Sequence, residues 1–138
     1  MKPTKIAVLL VFGLMGAVGP TARAAEPASP VAAVRQPDKN IQVLYDKMMA
    51  ALETNDFANF AKPLDDDMKR FLTKKVFDSV IVQMESRFNK GYTAEYFGDV
   101  KKNGQMVYIW KLTFKDGGDD VLVQMGLKDG KISEFLLA

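Results

Sequence analysis

The chain has no cysteine and no histidine among its 138 residues. Without cysteine it can form no disulfide and carry no lipid on a cysteine at a leader cleavage site, so burial and hydrogen bonding alone must hold it together. Without histidine there are no serine–histidine or cysteine–histidine nucleophiles and no histidine-bearing zinc sites. A membrane-length apolar run is missing too. The run from Ile6 to Val18 is shorter than the roughly 20 residues that span a bilayer, and Gly13, Gly16, Gly19 and Pro20 interrupt it further. Nor is there a large surplus of positive charge. The count is 19 basic against 17 acidic residues, which gives no electrostatic case for nucleic acid.

What is present begins with an address. Lys2 and Lys5 precede the apolar run, and Ala22-Arg23-Ala24 supplies the small residues that a signal peptidase requires, so a cut between Ala24 and Ala25 is expected. Residues 1–24 therefore read as a signal peptide, and the protein as exported to the periplasm or beyond the cell, with no membrane attachment after cleavage. Removing Lys2, Lys5 and Arg23 leaves 16 basic against 17 acidic residues, so the basic character of the precursor belongs to its leader. The remaining 114 of 138 residues suit one compact domain. Residues 25–37 carry three prolines among small residues and show no helical or strand period, which reads as a disordered leader before a single domain over residues 38–138.

Asp38 is a good helix N-cap. After it, Ile41, Leu44, Tyr45, Met48 and Leu52 recur at helical spacing along one face, with an end expected near Asn55. A brief helical stretch with Phe57, Phe60 and Ala61 inward follows, closed by Pro63. Met48 and Met49 fit either adaptable ligand contacts or core filling. The acidic triplet Asp65-Asp66-Asp67 invites a metal reading, but neighbouring helical residues point about 100° apart and cannot converge on one cation. A calcium loop would interleave its acids and turn on a glycine. Leu64, Met68, Phe71 and Leu72 share one face of a short helix, so the aspartates are expected to cap its start, with Lys69 and Arg70 toward its end. Thr73 then caps a longer helix whose stripe is Val76, Phe77, Val80, Ile81, Met84 and Phe88, ending at Gly91.

Beyond Gly91 the period becomes strand-like. Turn signals at Asn103-Gly104, at Asp116 to Asp119 and at Asp129-Gly130 divide four strands, near 92–101, 105–115, 120–127 and 131–137, into an antiparallel meander. A two-residue turn at Asn103-Gly104 pairs Val100 with Val107, Phe97 with Trp110 and Glu95 with Leu112. That register places Phe97 on one face with Met106, Tyr108, Trp110, Leu112 and Phe114, and leaves Val107, Ile109, Lys111 and Thr113 on the other. A bulge at Gly98 would shift the first strand by one. Counting across Asp129-Gly130 pairs Leu127 with Ile132, Met125 with Glu134 and Val123 with Leu136, with Leu122, Gln124, Phe135 and Leu137 on the alternate face. Both faces are substantially apolar, and helices can cover only one, so curvature, a ligand or a second subunit must cover the other.

The stretch "LYDKMMAALETNDFANFAKPLDDDMKRFLTKKVF", then "NKGY", then the hairpin "LKDGKISEFLL", resembles the nuclear transport factor 2-like superfamily, and within it small secreted bacterial members with no assigned function. The resemblance spans about residues 40–138. It implies an α+β fold of three N-terminal helical segments packed on a curved four-stranded antiparallel sheet, a cystatin-like cone with a pocket between helices and sheet, and dimerisation through the sheet in many members. Enzymes of that superfamily place an acid or a histidine–aspartate pair inside the cone, and the missing histidine removes the second pattern. What remains is isomerase-like chemistry by a buried carboxylate with a tyrosine donor, drawn from Glu95, Asp99 or Glu134 and Tyr45, Tyr96 or Tyr108. The favoured expectation is an exported, non-catalytic binding or interaction domain that forms a homodimer through its sheet or takes a small apolar ligand. No cofactor and no metal is expected. Phe97, Tyr108 and Trp110, with Tyr45 and Met48, are the candidate contact residues, and Trp110 and Tyr108 serve equally as core or as a ligand-stacking surface.

Overall fold

The computed structural model describes residues 35–138. The expected signal peptide over residues 1–24, and residues 25–34 of the expected leader, lie outside the described residues. Among the described residues four helices precede four strands: α1 Lys39–Glu53, α2 Phe57–Ala61, α3 Asp66–Phe71, α4 Lys74–Lys90, β1 Tyr92–Lys102, β2 Gln105–Phe114, β3 Val121–Lys128 and β4 Lys131–Leu137. The architecture is α+β with one antiparallel sheet in the order β1-β2-β3-β4. Four helices stand at the four helical stretches read from the sequence, where the resemblance implies three segments, and the break expected at Pro63 separates α2 from α3.

Each helix starts where a short polar side chain can accept from a free backbone N–H. Asp38 accepts from Asn40 N at 2.9 Å, Asp65 from Met68 N at 2.8 Å and Thr73 from Val76 N at 3.4 Å. Asp66 and Asp67 occupy the first turn of α3 and Lys69 and Arg70 its last, the arrangement that complements the helix dipole. Asp67 is paired with Arg70. The described residues contain no group of three or more acidic side chains placed to hold a metal ion. Phe71, expected on the buried face of this helix, is 54% exposed, whereas Leu64 is fully buried. The reason lies in the turn before α3. Pro63 to Asp65 runs alongside β4, with Asp65 N donating to Ile132 O and Ile132 N donating to Pro63 O, both at 2.8 Å. Leu64 is thereby inserted into the core, and α3 is left with only partly buried Met68 and Leu72 to anchor it.

The helices cover one face of the sheet. Tyr45, Met48, Met49, Ala51 and Leu52 of α1, Phe60 of α2, and Phe77 and Ile81 of α4 pack against Trp110, Leu112, Phe114, Val123, Met125 and Ile132. Each large side chain removed from water here contributes about 1.5–3 kcal/mol. Two further contacts fix α4. Phe77 lies between Phe57 and Phe60, at 5.4 and 5.1 Å between ring centroids. Arg87 donates to Asp116 at 2.8 Å and to the Asp119 carbonyl at 2.5 Å, while its guanidinium sits 4.1 Å from the Phe114 ring centre. That fork ties the β2–β3 loop to the end of the helix.

Two bulges set the faces. β1 gains a residue at Phe97, because Tyr96 pairs with Trp110 and Gly98 with Ile109. β4 gains one at Ser133, because Ile132 pairs with Leu127 and Glu134 with Gly126. The Val100–Val107 and Leu127–Ile132 pairs stand as expected, but the four other expected pairings are each displaced by one. Trp110 faces Tyr96 instead of Phe97, Leu112 faces Ala94 instead of Glu95, and Met125 faces Phe135 instead of Glu134. Val123 likewise faces Leu137 rather than Leu136. Phe135 and Leu137 accordingly join the helix-covered face, and Leu136 turns to the reverse one.

Candidate functional site

The face of the sheet turned away from the helices is built by alternate residues. By register they are Thr93, Glu95, Gly98, Val100 and Lys102 of β1; Gln105, Val107, Ile109, Lys111 and Thr113 of β2; Leu122, Gln124, Gly126 and Lys128 of β3; and Lys131, Glu134 and Leu136 of β4. The bulge adds Phe97, whose ring lies 5.4 Å from the Lys111 ammonium on this same side. Phe97 is 49% exposed, Val100 47% and Leu122 37%; half-buried Ile109 lies between them on β2, and half-buried Leu136 lies on the edge strand β4, across Gln124 from Ile109. These five apolar residues form a strip across the sheet, rimmed by charge.

The strip ends at a polar cluster. Ser133 donates to the Gln105 side-chain oxygen at 2.6 Å, Gln105 donates to Glu134 at 3.4 Å, and Lys102 lies 3.6 Å from Glu134. These side chains cross directly over Gly126, where an added Cβ would come within 2.9 Å of both Gln105 Nε2 and Glu134 Cβ. The neighbouring Val107 is thereby buried although it faces away from the helices. At the opposite end Lys111 lies 3.4 Å from Glu95 and 4.0 Å from Asp120. Such exposed pairs add little stability, about 0–1 kcal/mol each, but fix where charge sits.

The five candidate contact residues do not form one site. Tyr45 and Trp110 stack in the core, ring centroids 4.1 Å apart and planes 13° from parallel, and Met48 is buried with them. Tyr108 is half-buried on the same face, 6.5 Å from Trp110. Phe97 is on the other side of the sheet, which corrects the expectation that it shares a face with Tyr108 and Trp110. The extra residue in β1 turns it over. Val100 and Leu122 were not singled out by periodicity. The one signal for the polar cluster was a glycine inside a strand pattern at Gly126, which marks close approach of other groups.

Of the acids that could serve a buried-base mechanism, Asp99 accepts from the Tyr96 hydroxyl at 2.9 Å. Burial, and then that hydrogen bond, push the Tyr96 hydroxyl up to about 12. Asp99 itself is exposed, Glu95 and Glu134 are engaged by lysines, and no charged side chain among the described residues is buried. Two surface hollows accompany the fold. One, of about 460 Å³, lies between the α3 aspartates, Arg70 and the Lys128–Lys131 turn. The other, of about 240 Å³, lies between Gln36, Gln42, Ala94, Glu95, Tyr96 and Trp110. No helix among the described residues is long and apolar enough to cross a membrane. Comparison with protein families, curated proteins and solved structures finds no match for this chain.

Proposed function

We propose that this is an exported, non-catalytic interaction domain of the nuclear transport factor 2-like type, a curved sheet and helices forming a cone, which self-associates as a homodimer through the reverse face of the sheet. The observation that carries this reading is the exposed strip of Phe97, Val100 and Leu122 on a sheet face that no helix covers. Scattered apolar residues on a surface need no explanation, but a group gathered on one sheet face does. A second supporting observation is the interior. Where a small ligand would enter a cone, Tyr45, Met48 and Trp110 fill the space with side chains. The isomerase-like alternative needs a carboxylate in a dry pocket, and the carboxylate nearest a tyrosine donor, Asp99, is open to solvent.

Export rests on the sequence of residues 1–24, with its lysines, short apolar run and small residues before Ala25. The experiment for the interaction reading is sedimentation velocity on the processed protein and on Phe97→Glu/Val100→Glu. The unaltered protein is expected to sediment as a dimer at micromolar concentration. The variant should need at least about tenfold more protein to associate, a change of about 1.4 kcal/mol. A monomer up to the highest attainable concentration in the unaltered protein would sink the reading.

A further inference from the structure

Asparagine is a thermolabile residue, because its side-chain amide carbon lies within reach of the next residue's backbone nitrogen and the two can close a five-membered ring. A side chain on that next residue hinders the closure, and glycine has none. Of Asn40, Asn55, Asn59, Asn89 and Asn103, only Asn103 is followed by glycine. Asn103 and Gly104 form the two-residue turn between β1 and β2, at φ values of 52° and 77°, the turn that Asn-Gly suits best. Lys102 pairs with Gln105 across it, so the Gly104 nitrogen lies outside the ladder. Both turn residues are exposed, and a Cβ built on Gly104 would meet nothing within 4 Å. Water and base therefore reach both reacting atoms. The other asparagines are placed differently. Asn40, Asn59 and Asn89 lie within helices, and Asn59 also donates to Asp56 at 2.5 Å and accepts from Lys62 at 2.9 Å. After Asn55, the Asp56 nitrogen is occupied in donating to the Ala51 carbonyl at 2.8 Å. Asp116-Gly117 and Asp129-Gly130 could close the same ring only by losing water from a protonated carboxyl, and Asp116 is further held by Arg87 and the Gly118 N–H.

We propose that Asn103 is a site of spontaneous covalent modification in the folded protein, losing ammonia to form a succinimide with Gly104 that reopens to aspartate and isoaspartate. The Gly104 nitrogen attacks Asn103 Cγ and gives up its proton, the Cγ–Nδ2 bond breaks, and ammonia leaves. Water then opens the ring. Attack at Cγ restores the ordinary backbone with an aspartate in place of the asparagine. Attack at the main-chain carbonyl leaves the chain running through Cβ and Cγ, one backbone atom longer. Either product sets a new carboxylate beside Lys101 and Lys102. The second also undoes the turn, because a two-residue connection that fixes the β1–β2 register has no place for an extra atom. Gln105, the first residue past the turn, accepts from Ser133 and donates to Glu134, so the polar cluster over Gly126 loosens with it.

The test is prolonged incubation of the processed protein, folded, in mildly alkaline buffer at physiological temperature. Ammonia is expected to be released while a more acidic form accumulates, and peptide mass analysis should map the change to Asn103. The isoaspartate form, separated by chromatography, should melt at a lower temperature than the aspartate form, because only the first carries the longer backbone. Asn103→Gly removes the amide and keeps a turn that accepts positive φ at both central residues. It is expected to match the unaltered protein in circular dichroism and to lose the acidic form altogether. A folded protein that yields no acidic form, a change mapped to another asparagine, or an acidic form that persists in Asn103→Gly overturns the site. Equal melting of the two products overturns the effect on the hairpin. None of these results depends on whether the reverse face of the sheet is a contact surface, which sedimentation measures separately.

Discussion

Replacing Tyr45 with phenylalanine is expected to make this protein more stable, although it deletes a polar group from a tightly packed core. Tyr45 is 3% exposed, its ring is stacked on Trp110 at 4.1 Å, and its hydroxyl has no hydrogen-bond partner. Burial pushes that phenol well above its ordinary pKa, with Asp46 and Glu53 adding to the shift, as expected of a hydroxyl removed from water. A buried polar group left unpaired costs about 1–3 kcal/mol. Phenylalanine keeps the ring and the stack, removes one oxygen and opens no cavity that would matter. Taking the low end, the gain is about 1 kcal/mol, or about 4–8 °C in melting temperature for a domain near 100 residues. Urea unfolding followed by the emission of Trp110, the single tryptophan, measures it directly. The midpoint should rise with the slope unchanged. A loss of about 0.5 kcal/mol or more would refute the reasoning, because it would mean that the hydroxyl has a partner in solution.

Trp110→Ala should lower stability by about 3–5 kcal/mol, the cost of emptying a core site of this size. Chemical unfolding by circular dichroism measures it, and a variant that keeps its stability but loses self-association would place Trp110 at the contact surface instead. Acid should weaken the tie between α4 and the β2–β3 loop. Arg87, and then the Gly118 N–H, hold the Asp116 carboxyl below its ordinary value of 3.8, so its contribution is complete above that value and is lost as pH falls through the lowered one. Asp116→Asn is therefore expected to be less stable than the unaltered protein near neutrality and to converge with it in acid, as thermal melts at graded pH would show.

Much of the fold was legible because each local signal had one physical meaning. Asp38, Asp65 and Thr73 do cap helices, Gly91 does end α4 at a φ of 90°, and Asn103-Gly104 and Asp129-Gly130 do close hairpins with both residues at positive φ. The aspartate triplet behaves as helix-start chemistry, as the 100° spacing of its side chains requires. What periodicity could not supply was long-range. Leu64 and Phe71 sit on one stripe of α3, and nothing local says that the Pro63–Asp65 segment will pair with β4 and draw only Leu64 inward. The tie between Arg87 and Asp116 spans 29 residues and has no sequence signature. The site was least legible, because a strand has a period of two and one inserted residue reverses every assignment beyond it.

That reversal is what makes the proposed surface. In a regular β1, Phe97 would stand opposite Trp110 and join the helix-covered core. The extra residue instead leaves Tyr96 to meet Trp110, ring centroids 5.2 Å apart, and brings Phe97 out beside Lys111. Gly98, at a φ of 136° and in the middle of the strand, permits it, since a side chain would be strained there. Deleting one residue at this point would bury the largest side chain of the strip and leave Val100, Ile109, Leu122 and Leu136 among lysines and acids, a face with little reason to be covered. A β1 bulge costs ladder hydrogen bonds and gains nothing for the core, which Tyr96 fills without it. Its one evident effect is to present an aromatic ring on the open side of the sheet, where the proposed contact surface lies.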